Sequence, residues 1–156
     1  MTTIIDGSAG ITFPAGSNPQ AAPSKVLQVV NSSSNTTITS SGGTVATVLN
    51  PSITPLFSTS KILIMTSLCV TWVPNSNAYT SAFLYRGTTS GTLLSDLYQA
   101  IGSAVNGYAT YAHIYLDSPA TTSSTTYTLA INRSSGGTTS VSTNSTYSVI
   151  LMEIAQ

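Results

Sequence analysis

At 156 residues the chain has the size of a single domain. It carries 4 Lys or Arg against 4 Asp or Glu, a net charge of zero, so 5% of its residues are charged where ordinary domains carry about 25%. Four cations cannot neutralise the roughly six to ten phosphates of a typical nucleic-acid contact, and one cysteine cannot make an intrachain disulfide. Zero net charge also removes the usual guard against self-association, so the composition suits a subunit of an assembly.

Residues 1–24, MTTIIDGSAGITFPAGSNPQAAPS, hold three Pro and three Gly among scattered apolar residues. They read as an extended N-terminal arm preceding the folded domain, 25–156. Ile4, Ile5, Ile11 and Phe13 are its candidate anchors on a neighbouring surface. MTTIIDG places an acid where a secretory signal needs a basic and then an apolar run, so no targeting segment is expected.

From Lys25 the chain turns to short β runs separated by Ser, Thr, Asn and Gly. KVLQVVN (25–31) and TVATVLN (44–50) are rich in β-branched residues. KILIMTSLCVTWV (61–73) alternates, with Ile62, Ile64, Leu68, Val70 and Trp72 on one side and Ser67, Cys69 and Thr71 on the other. Its apolar stretch is too short and too polar to span a bilayer, and no membrane partner is expected. YTSAFLYRG (79–87) and LLSDLYQA (93–100) follow. YATYAHIYLD (108–117) sets Tyr111, His113 and Tyr115 against Ala112, Ile114 and Leu116, and the first three are the candidate surface contact. In LDSPATTSSTTYTLAINR (116–133), Asp117-Ser118-Pro119 makes a turn before a strand with Tyr127, Leu129 and Ile131 inward. TTSVST (138–143) and YSVILMEIA (147–155) close the chain. The last run is apolar on both faces, which predicts a subunit interface of Val149, Ile150, Leu151, Met152 and Ile154. A period of two with turn signals throughout predicts an all-β antiparallel sandwich, a jelly roll of eight to ten strands.

No motif carries catalysis. His113 has no nucleophile-elbow pattern to serve, and Cys69 with His113 falls short of a four-ligand zinc site, so no cofactor or metal is expected and the chain reads as non-enzymatic. Cys69 reads as a small buried hydrophobe. Glu153, on an apolar strand, is expected to pair with Lys61, Arg86 or Arg133.

SKILIMTSLCV (60–70), FLYRG (83–87), LDSPATTSSTTYTLAINR (116–133) and ILMEIA (150–155), in that order, resemble a family of tailed-phage virion proteins common in phages of cyanobacteria and marine bacteria. IDGSAGITFPAGS (5–17) resembles a segment often found just before that domain in phage fibre proteins. The resemblance implies a tumour-necrosis-factor-like jelly roll that assembles as a homotrimer on the virion exterior. Fibre chains of this type carry a long N-terminal shaft or attachment domain, and here only 24 residues precede the domain. The expectation is therefore a capsid decoration or cement protein, partnered by itself and by the major capsid protein or another virion protein. The alternative is a receptor-binding tail-fibre tip that recognises host surface polysaccharide.

Overall fold

The computed structural model describes residues 4–6, 10–12, 26–72, 79–101, 107–134, 136–141 and 145–156. Their strands are β1 (Ile4–Asp6), β2 (Gly10–Thr12), β3 (Val26–Ser34), β4 (Ile38–Ser41), β5 (Val45–Leu49), β6 (Ser52–Ile53) and β7 (Lys61–Trp72). β8 (Tyr79–Arg86), β9 (Thr92–Ile101), β10 (Gly107–Asp117), β11 (Thr125–Arg133), β12 (Thr138–Val141) and β13 (Tyr147–Ile154) follow. The arm is not simply extended: β1 pairs antiparallel with β2, setting β-branched Ile5 opposite Ile11. Phe13 lies outside the described residues, as do Pro14, Pro19 and Pro23.

Eight strands make the body. β3 pairs with β13, β5 with β11, β7 with β10 and β8 with β9, all antiparallel. Joining first to last, second to seventh, third to sixth and fourth to fifth is what results when one long antiparallel ribbon is rolled on itself. The roll yields two sheets, ordered β3-β13-β7-β10 and β5-β11-β8-β9. β12 and β4 continue the first sheet along the flank of β7 beyond β13, and β6 adds to β11. The fold is an all-β antiparallel jelly-roll sandwich.

The core lies between the sheets. Ile62, Ile64, Leu68 and Val70 of β7 meet Leu84 of β8 and Leu129 and Ile131 of β11, each at 1% exposure or less. Burying each such side chain is worth roughly 1.5–3 kcal/mol before ordering costs. The inward sides of β7 and of 126–133 are the sides that their alternation predicts. Trp72 packs over Gly107 on the facing strand, where an added Cβ would collide with the indole ring.

Candidate self-association face

Val149 and Leu151 are fully buried in the sandwich core, so packing within one chain already accounts for them and they are not interface residues. Successive residues of a strand point to opposite faces. Ile150, Met152 and Ile154 therefore point outward, and all three are half-buried. The register extends them into ladders. Met152 lies opposite Val29 on β3 and Leu63 on β7, and Leu63 lies opposite Leu116 on β10. Ile150 lies opposite Asn31 and Met65, and Met65 opposite Ile114. Two rungs, apolar but for Asn31, thus cross four adjacent strands.

The edge strand β10 corrects the expected surface contact. Tyr111, His113 and Tyr115 turn toward the interior: both tyrosines pack against the core, and the His113 ring stacks on Tyr115 with centroids 6.5 Å apart. The large outward residues are Tyr108, 79% exposed, Ile114, 66% exposed, and Leu116, 49% exposed. Alternation along β10 is as strong as expected, but its two faces are exchanged. β10 is an edge strand, paired only with β7 among the described residues, and its large rings reach the core from there where small residues would leave voids. Cys69, expected to be buried, also lies on the outer face, half-exposed.

Beyond the two apolar rungs the same face carries Ser33, Ser148, Ser67 and Ala112, then Cys69 beside Thr110. Lys61, beside Ile154, is the one charged residue at an outward position on these four strands among the described residues. The four strands run side by side where β13 pairs with β7, from Lys61 to Ser67, so by strand geometry their shared face is about 19 Å across and about 23 Å long, about 440 Å². That is about half of the roughly 800 Å² each partner contributes to a standard protein interface, and the flanks of β7 and β10 beyond it extend the face.

The other charges hold the fold. Asp117 is buried; it accepts from Arg86 Nη1 at 3.2 Å and from the Tyr127 hydroxyl at 2.7 Å. Burial, followed by that hydrogen bond, pushes the Tyr127 phenol well above its usual range. Arg133 is wholly buried and donates from Nη1 to Thr80 Oγ1 at 3.0 Å. Glu153 does not pair with Lys61, Arg86 or Arg133. Its carboxylate accepts from Gln28 Nε2 at 2.6 Å, from the Leu56 N–H at 2.8 Å and, weakly, from the Phe57 N–H at 3.4 Å. Among the described residues no three His, Cys, Asp or Glu side chains are grouped so as to hold a metal ion.

What these elements define is a jelly roll with one sparsely charged, partly apolar sheet face. No family model and no curated protein matches the chain. Solved structures do. A structure of infectious bursal disease virus, Gx strain, matches with a TM-score of 0.53 at 14% identity, over 81% of this chain and 32% of that one. A VP2 subviral particle of the same virus matches with a TM-score of 0.46 at 12% identity, over 81% of this chain and 32% of that one. The chain spans about a third of the length of the proteins it matches. At 14% identity the likeness to the first of these is one of fold alone, the jelly roll.

Proposed function

We propose that the chain is a structural protein of a virus particle: a tailed-phage decoration or cement protein that stands on the outer capsid as a homotrimer and stabilises the shell. The observation that carries this reading is the outer face of β3-β13-β7-β10, with Lys61 as its one charge among the described residues, on a fold shared with a protein of virus particles. Leu63, Met65, Ile150, Met152, Ile114 and Leu116 form its centre, and copies of the chain pack there. Obligate interfaces are more hydrophobic than ordinary surface, and this face meets that description without any loop or cofactor. The role is mechanical and calls for no catalytic group. Residues before Val26, with Ile4, Ile5, Ile11 and Phe13, add contacts to the particle.

Two measurements test this. Light scattering at micromolar concentration is expected to give the mass of three chains; the mass of one chain refutes the assembly. Antibody labelling of virions is expected to decorate the head, and signal confined to the tail refutes the cement role in favour of a fibre tip.

A further inference from the structure

The two ends of the sandwich differ chemically. One end is marked by Ile154 opposite Val26, Asp117 opposite Ile62, Tyr127 opposite Arg86 and Thr125 opposite Ile53. The bonds of Asp117 to Arg86 and Tyr127 tie the two sheets together there. Loops 54–60, 87–91 and 118–124 close this end, and the chain enters the body there at Val26. The opposite end carries the Gly42-Gly43 and Gly136-Gly137 turns. Among the described residues, the exposed large apolar side chains at or beside the first end are Val26, Leu56, Phe57 and Leu93, whereas Val29, Ile114 and Leu116 lie along the outer sheet face and Tyr108 lies near the second end.

The tip of loop 54–60 is the extreme case. Leu56 is 60% exposed and Phe57 56%, side by side in sequence. Their backbone is held from inside. The buried Glu153 carboxylate accepts from both N–H groups, Gln28 Nε2 donates to the Thr54 carbonyl at 2.7 Å, and the Ser60 N–H donates to the Phe57 carbonyl at 3.1 Å. A loop fixed in this way loses little freedom when it docks, so its apolar area converts more fully into affinity. Charge at this end is matched internally, Asp117 by Arg86 and Glu153 by its N–H donors, leaving Lys61 as its outward-facing cation among the described residues. One cation offers little to a polyanion or an anionic bilayer, whereas exposed Leu and Phe suit an apolar, uncharged concavity.

We infer that Leu56 and Phe57 are the docking tip by which the chain seats on an apolar, uncharged concavity of a different protein in the particle. The inference rests on the particle reading above. Loop 54–60 joins β6 to β7 at the strand ends while the outer sheet face runs along the strands, so a molecule standing on this end keeps that face free for its copies. The shell subunit beneath is the occupant.

The test uses particles lacking the protein, full-length chain added back, and sedimentation to measure binding. Wild type and Thr44→Ala, altered in the exposed turn at the opposite end, are expected to bind alike. The Leu56→Asn/Phe57→Ser double variant is expected to bind at least about tenfold more weakly, with unchanged mass and melting temperature, because both side chains are more than half exposed. Equal binding by the double variant overturns the inference. Loss of assembled mass in that variant also overturns it, by making the tip a contact between copies. Sedimentation of wild type with phosphatidylcholine or phosphatidylglycerol vesicles overturns it in favour of a lipid surface. A photo-crosslinking residue at position 57 gives a readout independent of the variant's folding: a bond to a shell protein supports the assignment, and a bond to this chain refutes it. If wild type fails to bind particles at all, the particle reading itself falls, an outcome distinct from failure of the tip alone.

Discussion

Glu153→Ala is expected to be among the more damaging single changes in this chain, although it removes no ion pair. The side chain is wholly buried on β13, and its carboxylate accepts from Gln28 Nε2 at 2.6 Å and from the Leu56 N–H at 2.8 Å. Truncation strands the Leu56 N–H and leaves Gln28 Nε2 only the Thr54 carbonyl, and each buried group left unpaired costs about 1–3 kcal/mol. The Phe57 contact, at 3.4 Å, adds little. A loss of about 2–4 kcal/mol follows, which for a domain of this size lowers Tm by roughly 10 °C. Glu153→Gln keeps the shape and one acceptor but turns an NH₂ group toward Gln28 or Leu56, so a smaller loss of about 1–3 kcal/mol is expected. Burial pushes the carboxyl pKa up, but hydrogen bonds from Gln28 and from the Leu56 and Phe57 amides outweigh it and hold the group below its ordinary value. Folding therefore favours the ionised form. That stability is complete above the unfolded pKa, about 4.3, and is lost as pH falls through the lower folded value. Calorimetry across that range checks the sign: the Tm gap between wild type and Glu153→Gln is widest near neutrality and shrinks on acidification. A Glu153→Ala Tm within about 1 °C of wild type, or a gap that widens in acid, refutes the account.

Met65→Asp places a charge at the centre of the outer face, where Met65 is half-buried between Ile150 and Ile114. It is expected to give single chains by light scattering with wild-type circular dichroism, whereas Leu151→Asp, in the core, is expected to yield no folded protein. Gly107→Ala drives a methyl group into the Trp72 ring and is expected to cost about 1–3 kcal/mol, read as a lower urea midpoint with unchanged slope. Asp117→Ala leaves Arg86 and the buried Tyr127 hydroxyl without their acceptor; a loss of about 1–3 kcal/mol in thermal unfolding is expected, and an unchanged Tm contradicts the role given to this cluster.

By itself the sequence determined the class of fold. Period-two alternation over 61–73, 108–117 and 126–133, with Gly- and Ser-rich turns between, leaves little but an antiparallel sandwich, because helices would scatter the same apolar residues around their circumference. It also marked YSVILMEIA as apolar on both sides, from which the outward row Ile150, Met152 and Ile154 follows. Alternation, however, supplies a period without a sign. For β10 and β13 both faces are apolar enough to be buried, so only the packed sheets decided that Tyr111 and Tyr115 turn inward while Ile114 and Leu116 turn outward, and that Leu151 belongs to the core and Met152 to the surface. The partners of Glu153 were hidden for a related reason. Sequence shows where the scarce cations are, but the donors that hold this carboxylate are the Gln28 side-chain amide and backbone N–H groups 97 and 96 residues away, and every residue except proline has such an N–H. Which of them reach a buried carboxylate depends on how the loop closes over the end of the sandwich, and only the tertiary structure decides that.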